Sequence, residues 1–403
     1  MNSSLWNQYR LGDLVKLTQG FCVNKKSNHL VVGSGLPLLR ITDMINRNEE
    51  IFISYNVPKR FIAKEEDIIF TRTGQVGLVF RGQYGVIHNN CFSVSPLSDN
   101  ITRNFLFWLL RSDMVRKKAN YLACGAAQPD LKHPAFKSIV VKIPVKISTQ
   151  ETISEILSDY DNFIDTNSRR IQLLEESARL LFREWFVYFK FPNHEKVKMV
   201  DRGGKNIPAE WEYLPFTKIK LFKKAPLGVP VFTGTRQYCQ TSEIDGTSIT
   251  GNGEEVDYES RPSRADIAPR INTLYFAKMK DTDKVLYFNM GNSDLLEKIL
   301  LSTGMVGFTT EEKYLGFLFG LLTSYEFVQY KNNFATGATQ VSLNDASLKK
   351  IKVLLPTLNL VELYSEIVNP LLEECSLLRS QNQQLTYARD LLLPRLMSGA
   401  IEV

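Results

Sequence analysis

Residues Phe105–Pro144 align with Phe317–Pro356 at a constant offset of 212 without a gap, and 16 of the 40 positions are identical. FLFWLLRS answers FLFGLLTS. Gly125-Ala126-x-Gln128-x-x-Leu131 answers Gly337-Ala338-x-Gln340-x-x-Leu343, and Ile139-x-Val141-x-x-Pro144 answers Ile351-x-Val353-x-x-Pro356. Further upstream, Thr73-Gly74-x-Val76-Gly77 recurs as Thr303-Gly304-x-Val306-Gly307. A period near 200 residues is too long for a solenoid, whose units run to about 20–50 residues, so this is a duplicated module. The chain must fold as two related halves. Between the copies, residues 20–65 and 225–295 differ most, as expected of a constant framework carrying two different binding devices or of drifting loops.

Each copy is followed by a long segment with heptad spacing. In the first, Leu157, Tyr160, Ile164, Asn167, Ile171, Leu174, Ala178, Leu181 and Trp185 fall on one stripe, and Ser148–Phe186 contains no Pro or Gly. Some 40 residues at ~1.5 Å each make a helix about 60 Å long, with an apolar stripe narrow enough to serve one partner helix. In the second, the inward positions are Leu371, Cys375, Leu378, Asn382, Leu385, Ala388, Leu392 and Leu396, and Pro370 is expected to start or kink that helix. Asn167 and Asn382 stand ready to fix register at some cost in stability. The layout is an α+β fold with an internal repeat: residues 1–147 as a first globular domain, 148–190 as a central helix, 191–357 as a linker and second globular domain, and 358–403 as a C-terminal helix.

At 403 residues with 44% hydrophobic and 23% charged residues, a chain like this divides into two to three domains. No apolar run is long enough to span a membrane, and Met1–Arg10 has no signal-like apolar region. Five cysteines, Cys22, Cys91, Cys124, Cys239 and Cys375, form no CxxC pair, which suits a reducing cytoplasm. The net charge of +6 is uneven. Residues 1–147 carry a net of +10, residues 148–200 a net of −2, residues 201–357 a net of +1 and residues 358–403 a net of −3. A basic first domain points to a polyanionic partner.

Short runs at Leu36–Ile41, Asp67–Phe70, Val76–Phe80, Cys91–Val94 and Ile139–Pro144 read as strands, and Thr102–Tyr121 as a helix. A hydrophilic joint spans Pro192–Lys205. Beyond it, Val229–Phe232, Thr273–Met279 and Val285–Asn289 read as strands and Tyr314–Phe327 as a helix.

Catalytic motifs are missing. There is no G-x-x-x-x-G-K-[ST] loop, H-E-x-x-H or G-x-S-x-G elbow, and no Asn/Asp-Pro-Pro-aromatic tetrapeptide of the kind amino-methyltransferases use. Four dispersed histidines suggest no metal site. The candidate binding parts are loops. Arg72, Thr73 and Gln75 sit on a Gly-relaxed turn where backbone N–H groups can approach a phosphate and Arg or Gln can read base edges. Gly125 and Gln128, and Gly337 and Gln340, have the same character. Arg40, Lys117 and Lys118 add charge in the first half; Arg236, Arg261, Arg264, Lys278 and Thr303 are the counterparts in the second. Each also reads as an ordinary surface residue or a shared structural turn.

Together these features resemble the specificity subunits of type I DNA restriction–modification systems. The resemblance spans essentially the whole chain. It rests on the LGDL start (Leu11–Leu14), the duplicated GAxQxxL…P motifs, the I-x-x-I-L-x-x-Y-D run at Ile153–Asp161, the Arg183-Glu184-Trp185-Phe186 helix end and the C-terminal LLLPRLMSGAI of Leu391–Ile401. It implies two target-recognition domains, each reading half of a split DNA site, and two long helices packed antiparallel as a spacer. Two modification (methyltransferase) subunits and restriction subunits are the implied partners, carrying S-adenosylmethionine, ATP and Mg chemistry, while this chain binds none of those cofactors and catalyses nothing. The near-neutral second domain departs from the expectation of a DNA grip unless its positive charge is focused locally or the methyltransferase subunits supply the phosphate contacts. A methyltransferase or nuclease with an unrecognised site, and a coiled-coil adaptor that never meets DNA, are the competing readings. Methyl transfer by the purified chain would favour the first, and failure of the complex to retain a bipartite site the second.

Overall fold

A computed structural model describes residues 5–46, 48–125, 128–337 and 341–403. The chain divides into two compact units. The first comprises Met1–Ile164 with Gln384–Val403, and the second Asp165–Gln383.

In the first unit a four-stranded antiparallel sheet runs in the order Val15–Gln19, Cys91–Pro96, Ile68–Thr71, Val79–Phe80, and Trp6–Arg10 pairs separately with Val140–Pro144. The helices Arg103–Arg111 and Asp113–Leu122 follow. The sequence pattern reads as one helix here, but it breaks at Ser112, whose hydroxyl accepts from the Val115 N–H and so caps a new helix. Four short strands between Val15–Gln19 and Ile68–Thr71, joined by Gly85–Ile87 from just before Cys91–Pro96, make a second sheet in the order Val31–Val32, Phe52–Ile53, Leu36–Leu39, Gly85–Ile87, Ile62–Ala63. This insert has its own apolar clusters around Phe21, Leu38 and Ile53, and around Met44 and Ile69. The run read as a strand to Ile41 stops at Leu39, and Ile41–Asn46 is helical.

The second unit repeats the framework. Its sheet runs Phe222–Lys224, Met305–Thr310, Thr273–Ala277, Val285–Phe288, and Glu212–Pro215 pairs with Lys352–Leu355. Helices Leu315–Thr323 and Tyr325–Phe334 are separated by Ser324, which caps through the Phe327 N–H as Ser112 does in the first unit. Val229–Phe232 is not a strand; the insert is instead built on Glu254–Val256, Arg236–Cys239 and Ile299–Leu301. The Pro192–Lys205 joint contains half of a small hairpin, Met199–Asp201 against Asn206–Pro208, with Gly203 and Gly204 at positive φ in its turn.

The helix Ile147–Phe182 ends in a π-helical turn over Arg183–Val187. The last helix begins at Leu358 and continues through Pro370 to Met397, so Pro370 lies inside it rather than at its start. In the second unit Asn167 donates to Gln381 and Asn382, both at 3.0 Å, the Ile171 carbonyl meets Cys375 Sγ at 3.8 Å, and the Ala178 carbonyl accepts from Tyr364 Oη at 2.7 Å. One number rises as the other falls, so the helices are antiparallel. In the first unit Asp161 holds Arg389 at 2.5 Å, and Ile153 and Leu157 share a core with Leu396 and Met397. The stripe of the central helix holds Leu157, Ile171, Ala178 and Trp185 as buried residues, with Tyr160, Ile164, Leu174 and Leu181 half-buried. On the last helix Leu372, not Leu371, is fully buried beside Val368, Cys375 and Leu378, while Asn382, Leu385, Ala388 and Leu392 are half-buried. The one-residue shift of phase at Leu372 was not visible to heptad counting.

Trp108 of the first copy is replaced by Gly320 in the second. Trp108 is buried and donates to Ser158 Oγ at 3.0 Å. A Cβ on Gly320 would come 2.3 Å from the ring of Phe182 and 2.8 Å from Tyr364 Oη. The space taken by an indole in one unit is taken by a phenyl from the end of the central helix in the other.

Candidate nucleic-acid interface

The turn after Ile68–Thr71 is built around one ion pair. Arg72 donates through Nη2 to both Asp130 oxygens at 2.7 Å and through Nη1 to Gln19 at 2.9 Å, and Thr73 Oγ1 donates to Asp130 at 2.7 Å. Burial opposes the Asp130 charge, yet the hydrogen bonds from Arg72 and Thr73 hold its carboxyl below the usual range. Thr73 and Cys124 both bridge to Asp130 along the backbone, so two loops are joined at one residue. Gly125 completes the second loop at φ +111°, and a Cβ there would stand 2.7 Å from the Gln128 carbonyl. Among the described residues of these two loops, the exposed side chains are Gln75, Cys124 and Gln128. Arg72 thus positions the turn; it is not a free cation.

The second unit has the same turn, but not where the Thr-Gly-x-Val-Gly match points. The Arg72 and Lys278 backbones are equivalent: their N–H groups donate to Asn90 and Gly304, and their carbonyls accept from Leu131 and Leu343. Met279 and Thr336 bridge to Ser342 as Thr73 and Cys124 bridge to Asp130. Thr303-Gly304 instead leads into Met305–Thr310, the partner of Cys91–Pro96, so the upstream match joins two different places in the framework. The turn's internal tie also differs. Lys331, buried on Tyr325–Phe334, donates to the carbonyls of Met279 at 3.1 Å and of Thr282. Burial lowers its pKa to about 8. The first copy has Ala119 at the corresponding position, and a lone charge replacing a buried alanine was the signal available in the repeat.

The remaining candidates divide by whether their charge is already engaged. Arg40 is tied to Asp43 at 2.6 Å and Glu50 at 2.5 Å. Lys118 donates to the Val140 carbonyl at 2.7 Å, whereas Lys117 is exposed. Arg236 lies over the Phe232 ring at 4.4 Å, in an open depression shared with Thr233, Thr235 and Glu297. Arg261 lies over Tyr258 at 4.1 Å and reaches Asp266 at 3.8 Å. Arg264 is exposed, and its carbonyl accepts from the Thr303 N–H at 2.9 Å. Burial lowers the Lys278 pKa, and nearby Lys224 and Arg264 lower it further. The second unit therefore brings Arg264, Lys278 and Thr303 together. Gly337 is at positive φ, and Gln340 lies outside the described residues.

One further cluster ties the second insert to its helices. Glu175, buried on the central helix, accepts from Arg379 at 2.5 Å, from Thr247 at 2.8 Å and from Tyr287 at 3.1 Å. Burial works against the Arg379 charge, but Tyr287 and Glu175 hold its pKa above the ordinary value. Heptad counting missed Glu175 because a carboxylate next to an apolar stripe reads as solvated.

Residues 3–176 match the family model described as the type I restriction modification DNA specificity domain. The type I restriction enzyme HindI specificity subunit of Haemophilus influenzae is 23% identical over 98% of this chain and 99% of its own length. The MjaIX specificity subunit of Methanocaldococcus jannaschii is 21% identical over 99% of this chain and 94% of its own length. Over nearly its whole length the chain is similar to type I specificity subunits. A crystal structure of the S subunit of a type I restriction–modification system from M. genitalium has the same fold, with a TM-score of 0.58 at 15% identity, covering 98% of this chain and 97% of that one. In this chain two divergent inserts stand on one repeated framework, whose equivalent turns lie at Arg72 and Lys278. Among the described residues no helix is long and apolar enough to cross a membrane.

Proposed function

We propose that this chain is the sequence-specific DNA-binding subunit of a type I restriction–modification complex, reading a two-part target with a fixed unspecified gap. The observation that carries this is the pairing of a constant framework with divergent inserts. The two sheets share strand order and the two turns share backbone hydrogen bonds, whereas the sequence differs most at residues 20–65 and 225–295, which carry most of two unlike insert sheets. Two similar readers in one chain can take two different half-sequences, whereas a homodimeric reader demands a palindrome. Half-sites on one face of B-DNA lie about 34 Å apart or more, a distance that paired helices of about 60 Å suffice to set.

In this reading Gln75, Gln128 and Lys117 in the first unit, and Arg236, Arg261, Arg264, Lys278 and Thr303 in the second, supply DNA contacts. Arg40 and Arg72 hold the surfaces that carry them. Two modification subunits dock on the chain, restriction subunits join them, and S-adenosylmethionine, ATP and Mg belong to those partners. The test is exchange of residues 20–65 for the same region of a relative, followed by mapping of methylated sites in cells carrying the system. One half of the recognised sequence is expected to change while the other half and the gap stay the same. Change in both halves, or in neither, overturns the modular reading.

A further inference from the structure

Residues 201–357 have a net charge of only +1, yet their positive residues are not evenly spread. Between Glu212 and Glu243 there is no carboxylate, and the same is true between Asp345 and Glu362. The fold brings these two stretches to one place. Lys218, Lys220, Lys223, Lys224 and Lys349 line a groove of about 620 Å³ with Asp345. Asp345 is already matched, by Lys224 at 2.6 Å, and that hydrogen bond holds its carboxyl below the ordinary range. Lys218, Lys220, Lys223 and Lys349 are exposed and, among the described residues, have no carboxylate within ion-pair distance.

We propose that this groove binds the sugar–phosphate backbone of duplex DNA, whatever its sequence. The proposal rests on the DNA-reading function above and assigns to the second unit a grip distinct from its reader. Position favours it. The groove lies on the framework, at Phe216–Lys218, Phe222–Lys224 and the turn after Asp345–Leu348, and not on the insert that differs between the units. A framework site suits the part of binding that does not depend on sequence. Two of its lysines have counterparts in the first unit. Lys16 stands opposite Ser95 as Lys223 stands opposite Thr309, and Lys137 is the repeat partner of Lys349. Composition favours it too. Flexible lysines without an arginine or an exposed aromatic anchor suit phosphate neutralisation, whereas protein interfaces are depleted in lysine. The groove also answers the charge question: the second unit needs no net positive charge if it concentrates four unmatched ammonium groups in one channel.

The experiment uses the full chain, a labelled random-sequence duplex of about 30 base pairs and fluorescence anisotropy over a range of salt concentrations. Lys218, Lys220, Lys223 and Lys349 are all changed to Gln, and in a second variant all to Arg. The Gln variant is expected to lower the slope of log K against log salt by about 0.9 for each phosphate that is no longer neutralised, and the Arg variant to keep the wild-type slope. A Gln variant with the wild-type slope overturns the groove and leaves the DNA-reading function standing; a wild-type chain that binds no duplex even at low salt overturns both. If the fourfold Gln variant fails to fold, the single changes Lys220→Gln and Lys223→Gln are read the same way, and unchanged slopes in both again overturn the groove.

Discussion

At the scale of single residues, the first unit places two imidazoles where water does not reach easily. Burial lowers the pKa of His88, helped by Arg40, and of His133, helped by Arg72. The His133 ring also stands edge-on to Phe92 at 5.0 Å, and its Nε2 has no hydrogen-bond partner among the described residues. With folded pKa values below 6.5, the unfolded chain takes up protons that the folded one resists. The stability present above pH 6.5 is therefore lost as pH falls through the window below it. Thermal unfolding between pH 7 and pH 5 is expected to show this loss, and His133→Phe to reduce it; an unchanged pH slope would remove His133 from the account. The candidate site was legible in the sequence only in part. The types were visible in the sequence, as Arg, Thr and Gln around a glycine turn. Whether Arg72 was free was not, because its partner Asp130 is 58 positions away. The Thr303-Gly304 match misled for the same reason: five residues can coincide in sequence without sharing a strand register.

At the scale of elements, the helix pair combines an apolar seam with a small polar break. Asn167 is buried and bonded to both Gln381 and Asn382, and Asn382 returns a bond to Ser168 at 3.2 Å. Replacing Asn167 by Leu leaves amide groups facing an apolar side chain and is expected to cost about 1–3 kcal/mol. Adding Asn382→Leu should recover part of that loss, since two apolar partners can replace a polar pair at little cost. Urea unfolding of the two single variants and the double variant measures the coupling; additive losses would argue that the amides do not act as a pair. The heptad rule found both asparagines. It placed Leu371 one residue out of phase with the fully buried Leu372, and it left open whether Pro370 starts or kinks the helix, which begins at Leu358 and runs through Pro370. Periodicity constrains which face is apolar; neighbouring side chains settle the phase.

At the scale of the whole molecule, the units do not follow the order of the chain. The first is completed by Gln384–Val403, and the second takes in the central helix from Asp165. Leu396 and Met397 are buried in the first unit's core with Leu157 and Trp108, although more than 230 positions separate Leu396 from Leu157. Leu396→Ala is accordingly expected to destabilise the first unit by about 2–5 kcal/mol, as would a substitution in its own stretch of chain. Denaturant unfolding followed by Trp108 fluorescence checks this, and a wild-type midpoint would mean that the C-terminal end is dispensable to that core. The sequence by itself determined the duplication, the two long amphipathic helices and the place of the divergent inserts, because repetition and periodicity are local patterns that survive without coordinates. Only the tertiary structure decided which helix end completes which core, that Asp130 and Lys331 tie equivalent turns by different chemistry, and that two carboxylate-free stretches over a hundred residues apart meet in one lysine-lined groove. Each of those depends on which distant groups come within a few ångströms, and no spacing rule along the chain contains that information.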